Sequence, residues 1–169
     1  MNGQYNIGDI VLRNWKLTSL IGEGAFGRVY AAERSELGRT YEAAIKIITI
    51  PKSQSEVNSI MNSDGLDEHG ASEYFLDIVK ELVDEMSLMS RLQGNSNVVS
   101  YKDHAVEEFT DGIGWDILIQ MELLTPLLTY AKQNPFTKRN IIQLVIDMCK
   151  ALELCQKYNV VHKIGRAHV

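Results

Sequence analysis

The chain has 169 residues, 45% of them hydrophobic, which is enough for one ordinary core in one or two small lobes and excludes fibrous, collagen-like and disordered classes. Seventeen basic against 22 acidic residues give a formal charge of -5, the reverse of the basic footprint that a phosphate backbone demands, so nucleic acid is not an expected partner. No apolar run approaches the ~18 residues of a membrane span, and Met1 to Asp9 lacks the basic-then-apolar order of a secretion signal, so the expectation is a soluble, cytoplasmic chain.

In chain order, Trp15 to Glu23, Arg28 to Arg34 and Thr40 to Ile50 read as strands: short, rich in β-branched and aromatic residues, and parted by glycine-bearing turns. Pro51 closes the third. Lys52 to Ala71 is polar and shows no sustained period, which predicts a long surface insertion. From Ser72 to Leu92, Phe75, Ile78, Val79, Leu82, Met86 and Met89 recur at three- and four-residue steps, predicting an amphipathic helix capped by Ser72. Asn97 to Val106 and Trp115 to Leu123 read as two further strands joined by a polar turn. After Thr125-Pro126 come a short helix, Leu127 to Gln133, and a longer one from a Thr137 cap to Tyr158. Cys149 and Cys155 lie six apart on different faces of that helix, so neither a disulfide nor a metal pair is expected and both are assigned as buried thiols.

Gly22-Glu23-Gly24-Ala25-Phe26-Gly27-Arg28-Val29 follows the pattern G-x-G-x-x-G-x-V, in which a backbone free of side chains can approach phosphates and offer its amides. The pattern alone is weak, since dinucleotide-binding folds share it. There the loop opens a helix, and here only Arg28 to Arg34 separates it from the next turn, so a hairpin is expected. Ala43-Ala44-Ile45-Lys46 then ends an apolar stretch in a lysine, whose burial without an anionic partner would be costly. Glu85, on the helix with Leu82, Met86 and Met89, is the candidate partner, and Glu81 one turn earlier is the fallback. Taken alone, Glu85 would more often be a solvated surface charge; the demand of Lys46 favours the pairing.

Together the loop, the strand lysine and the helix glutamate resemble the first subdomains of eukaryotic-type protein kinases, over about Trp15 to His162. Alanine at position 43, where that family usually has valine, is a departure. The resemblance implies an α+β fold: an N-lobe with a five-stranded antiparallel sheet and one regulatory helix, followed by the first helices of an incomplete, mainly helical C-lobe. Its divisions would be an extension at 1–14, the N-lobe and hinge at 15–124 with the insertion at 52–71, and the start of the C-lobe at 125–163. It further implies that Lys46 holds the α- and β-phosphates of ATP while paired with Glu85, under the flap from Gly22 to Val29. Ile117 to Leu124 resembles the strand entering the interlobe hinge. Met121 would guard the rear of the pocket, the Glu122 carbonyl and the Leu124 amide would meet the adenine, and Ile21, Val29, Ala44 and Met121 would supply apolar surface.

Val160-Val161-His162-Lys163 is similar to the entry of the catalytic loop, yet position 164 is Ile where the resemblance calls for aspartate, and no Asp-Phe-Gly follows to hold Mg2+. Ile164 to Val169 fits no kinase continuation. One spelling of it, ATC GGA AGA GCA CAC GTC, is the start of a common sequencing-library adapter whose next codon is a stop. The tail at 164–169 is therefore expected to be non-native, with Lys163 open as a hybrid codon.

The implied activity is transfer of the ATP γ-phosphoryl group to a protein hydroxyl, serine or threonine on base rates, with Mg2+ as co-factor and the fragment itself inactive. The oligomeric state is left open. A pseudokinase or interaction module that binds nucleotide or a partner without catalysis is the alternative. Intact Lys46, Glu85 and glycine loop weigh against it. A nicotinamide-dependent oxidoreductase fails on the hairpin and on the strand order. The helix from Thr137 has an apolar stripe without evident partners, which predicts aggregation of the isolated chain.

Overall fold

A strand buried on both faces must be apolar on consecutive residues, and the centre of the chain's longest strand shows this run. In the computed structural model, which describes residues 4–25 and 27–158, β4 (Arg39–Ile50) buries Ala43, Ala44 and Ile45 in succession. Ile45 and Ile47 face one side of the sheet, and Ile48 and Ile50 face the other. Around β4 the remaining strands are β1 (Ile10–Val11), β2 (Trp15–Gly24), β3 (Gly27–Glu36), β5 (Tyr101–Glu108) and β6 (Trp115–Met121). They form one antiparallel sheet in the order β1-β2-β3-β4-β6-β5. Four helices accompany it: α1 (Gln54–Asp64), α2 (Glu68–Ser90), α3 (Leu127–Gln133) and α4 (Lys138–Lys157).

On the inner face, Phe75, Val79 and Met86 of α2 pack with Ile50, Trp115 and Ile117 of the sheet. The outer face is covered from the N-terminal end of the chain. Tyr5 and Val11 join Trp15, Tyr30 and Ile45 there. The Tyr5 hydroxyl lies 3.2 Å from a carboxylate oxygen of the buried Asp116 and 3.3 Å from Glu107. Thr49 donates to the other Asp116 oxygen at 2.6 Å, and the Tyr30 hydroxyl donates to the Tyr5 carbonyl at 3.0 Å. The Tyr5 phenol thus ties the start of the described chain to β5 and β6, its carbonyl ties it to β3, and Asp116 carries the link on to Thr49 of β4.

Several expectations change. The sheet has six strands and not five, because Ile10–Val11 turns back through the positive-φ residues Leu12 and Arg13 and pairs with Trp15 and Lys16. The segment 52–71 is not an aperiodic surface insertion: it holds all of α1 and the first turn of α2. Asp67, and not Ser72, caps α2, its carboxylate accepting from the Gly70 amide at 2.8 Å. β5 begins at Tyr101 and not Asn97, because Asn95 folds the preceding residues into a turn, accepting from the Asn97 amide at 2.9 Å. β6 stops at Met121, two residues before the expected Leu123.

α3 has the bounds expected from the sequence, and α4 starts at its Thr137 cap, where Asn140 and Thr137 exchange side-chain and backbone hydrogen bonds. Cys155 is buried as expected, whereas Cys149 is exposed. Ile141, Val145 and Met148 of α4 are likewise half or more exposed, at 50%, 53% and 55%. His162, Lys163, Ile164 and the rest of the segment 159–169 lie outside the described residues, so the catalytic-loop and tail expectations meet no structural observation.

Candidate functional site

β2 and β3 form the expected hairpin, with Gly22 opposite Val29, Glu23 opposite Arg28 and Gly24 opposite Gly27. Ile21 is the unpaired residue of a bulge between Leu20 and Gly22, and it is exposed. Phe26 lies outside the described residues. The three glycines are not equivalent. Gly27 has φ +103, and a Cβ placed on it would sit 2.1 Å from the Ile47 carbonyl oxygen, so this position admits only glycine. At Gly24 nothing lies within 4 Å of such a Cβ, and at Gly22 the nearest atom is Val29 Cβ at an ordinary 3.7 Å. Their lack of side chains is not required by the fold, which leaves open space above the backbone.

Cross-strand register carries the site from the hairpin into the sheet. Val29 pairs with Lys46, Lys46 with Ile119, and Ala44 with Met121, so these residues lie side by side on the face toward α2. Lys46 is half-buried. Burial pushes its ammonium below the ordinary lysine value, and the Glu85 carboxylate pulls it back up by a smaller amount. Both side chains line one cavity of about 320 Å³, walled also by Met86, Met89, Ile119 and Met121. The fallback Glu81 is not part of that wall.

The expected site residues do not all share this cavity. Glu23, Gly24, Ala25 and Gly27 line a separate space of about 580 Å³ between the hairpin tip, the end of β4 and the β5–β6 loop. Gly22, Ile21, Val29, Ala44 and Leu124 line neither. Glu122 turns toward a third space, of about 570 Å³, with Trp15, Arg34 and Tyr41. There its side chain accepts from the Ser100 amide at 2.7 Å while its own amide donates to the Ser100 carbonyl at 3.1 Å. This clasp ties the chain after β6 to the start of β5. Leu124 is exposed.

Val99 and Tyr101 also line the Lys46 cavity, and the sequence reading did not pick them out. The available signal is pairing: Tyr101 sits directly opposite Met121 in the β5–β6 hairpin. Its phenol is raised above the ordinary tyrosine value, first by burial and then by the Asp103 charge. Among the described residues no group of three or more His, Cys, Asp or Glu side chains converges to hold a metal ion. No helix among them is long and apolar enough to cross a membrane.

No family model matches the chain. It is similar to the serine/threonine-protein kinase AKL1 of Saccharomyces cerevisiae, 25% identical over 149 residues that span 85% of this chain and 12% of that protein. The chain thus corresponds to about an eighth of its relative's length, and the likeness is a distant one to a serine/threonine kinase.

Proposed function

We propose that this chain is the ATP-holding part of a protein kinase, an α+β N-lobe followed by the first helices of a C-lobe. The observation that carries the reading is Lys46: a half-buried cation on the sheet face, sharing a cavity with Glu85, on the strand next to a hairpin in which Gly22 and Gly24 lack side chains where the fold does not need them to. A lysine placed there costs stability unless an anion is to be held. The distant likeness to a serine/threonine kinase supports the same reading.

In this proposal ATP, when bound, supplies the phosphoryl group that is transferred. Lys46 holds phosphate oxygens through its ammonium, Glu85 keeps that ammonium charged and aimed, and the open backbone at Gly22 and Gly24 lets the hairpin amides approach the phosphates. The Glu122 carbonyl and the Leu124 amide take the adenine edge, and Ile21, Val29, Ala44 and Met121 cover its faces. None of the described residues is assigned to Mg2+. Transfer to a serine or threonine hydroxyl of a protein substrate, in a cytoplasmic setting, is proposed for the whole protein.

Equilibrium binding of a fluorescent ATP analogue tests this. Saturable binding displaced by ATP and ADP but not by NAD is expected. Lys46→Met should weaken it about 10- to 100-fold, the loss of one charge-assisted contact. Absence of saturable binding at millimolar analogue, or equal binding by Lys46→Met, overturns the proposal.

A further inference from the structure

The segment between β4 and α2 has no part in the nucleotide site just described, yet it is built into the core. Val57 of α1 is 1% exposed and belongs to the same cluster as Ile50 of β4, Phe75, Val79 and Met86 of α2, and Trp115 of β6. Ile60 and Met61 pack against that cluster from the next turn. The spacing of three and four residues puts them on one face of the helix, while Asn58, Ser59 and Asn62 on the other are exposed, so α1 has one way to dock.

Both ends of α1 are fastened. It follows Ile50 and Pro51, both buried, and the Lys52 amide donates to the Glu56 carboxylate at 2.7 Å. At the far end Gly65, with φ 65, returns its amide to the Met61 carbonyl, and only Leu66 and the Asp67 cap then precede α2. So short a link leaves α1 and α2 little freedom to move apart. Met86 completes the chain of contacts: it lies in the Val57 cluster, it walls the Lys46 cavity, and it follows Glu85 directly.

We infer that α1 is a strut which, by filling the space between the end of β4 and the first turns of α2, holds α2 against the sheet in the position that keeps Glu85 toward Lys46. Val57, Ile60 and Met61 are then positioning residues. A packed helix moves as a rigid body, so loss of volume under Phe75 and Val79 is felt farther along it at Glu85. The inference rests on the pairing of Lys46 with Glu85. The polar side chains that share the cavity with Lys46 are Glu85 from α2 and Tyr101 from β5; the rest of its lining, including Met86 and Met89 of α2, is apolar.

The titration of Lys46, followed by NMR of its side-chain methylene next to the ammonium in the 169-residue chain and assigned with Lys46→Arg, separates positioning from mere stability. Val57→Ala should move the midpoint downward, because a carboxylate that raises it has been allowed to swing away. Ile60→Ala should do the same to a smaller extent and serves where Val57→Ala folds poorly. Val11→Ala makes the same chemical change in the outer-face cluster and should leave the midpoint in place. Glu85→Gln should lower it most, and Val57→Ala should add nothing further on that background. An unmoved midpoint in folded Val57→Ala and Ile60→Ala, or an equal shift in Val11→Ala, overturns the strut. An unmoved midpoint in Glu85→Gln overturns the pairing itself, and with it the nucleotide site.

Discussion

Replacing Gly27 by alanine probes the hairpin on which the candidate site depends. The new Cβ would lie 2.1 Å from the Ile47 carbonyl oxygen and 3.0 Å from its carbon. Neither atom can step aside as the tip of a side chain would, because Ile47 is held in register between Arg28 and Leu118. A φ of +103 is also a conformation that an L side chain enters at a cost of about 1–2 kcal/mol. Relief of the overlap requires opening the Arg28–Ile47 pair, giving up one or two ladder hydrogen bonds at about 1 kcal/mol each. The expected loss is therefore about 2–4 kcal/mol, a large share of the ~5–15 kcal/mol that holds an ordinary domain. Urea unfolding followed by fluorescence is the direct assay, since Trp15 and Trp115 are each 5% exposed and report on opposite faces of the sheet. With a slope of about 1–3 kcal/mol per molar, the midpoint should fall by about 1–2 M. Gly24→Ala, where a Cβ meets no atom within 4 Å, is the matched control and should melt within about 0.5 kcal/mol of the parent. Equal midpoints for the two variants would refute the assignment of Gly27 as the glycine required by the fold. Gly24→Ala should nevertheless bind nucleotide more weakly, because the space it fills is the approach to the backbone amides.

Lys46→Met should raise the urea midpoint at pH 7, because burial outweighs the help that Glu85 gives the ammonium. With the folded pKa below 10.5, the unfolded chain binds more protons between the lowered value and 10.5, so parental stability climbs with pH across that window and the advantage of Lys46→Met shrinks there. A lower midpoint at pH 7 contradicts this. Tyr5→Phe should cost about 1–3 kcal/mol, since the fully buried Asp116 loses a donor, and an unchanged midpoint would remove the N-terminal segment from the list of stabilising elements. Tyr5 itself is held well above the usual phenol range by burial and by the Asp116 and Glu107 charges. The parent should therefore lose stability as pH rises past about 10, where the unfolded phenol ionises, and Tyr5→Phe should flatten that loss. The exposed stripe of α4, with Ile142 at 52% and Val145 at 53%, should drive self-association at micromolar concentration. Light scattering should then show a shift toward monomer in the double variant Ile142→Lys, Val145→Lys, and a monomeric parent would contradict the expectation.

What could be read from the sequence was local. The period of α2 from Phe75 onward, the bounds of α3 and the Thr137 cap of α4 each follow from residues within one or two turns. α1 escaped notice although Val57, Ile60 and Met61 carry a helical spacing, because three apolar residues among Ser, Asn and Asp fall below what periodicity can separate from a loop. The partition of the site escaped for a different reason. Spacing along the chain brings glycine loop, lysine and hinge into one expected pocket, but only the register of five strands decides that Gly24 and Lys46 border different cavities.

Two charged residues on neighbouring strands mark where such reading stops. Lys46 announces itself, since a cation at the end of an apolar run has to be answered and the answer could be sought on the next helix. Asp116 gives no such signal. In the alternation Trp115-Asp116-Ile117 it falls on the face that a half-buried strand turns to water, where an aspartate needs no account. That face is instead closed by Tyr5, 111 residues earlier in the chain, which with Thr49 supplies hydrogen bonds that burial of the carboxylate requires. The demand for a partner at Asp116 exists only once the N-terminal segment has crossed the sheet, so a segment outside every recognisable pattern determines the environment of a residue inside one.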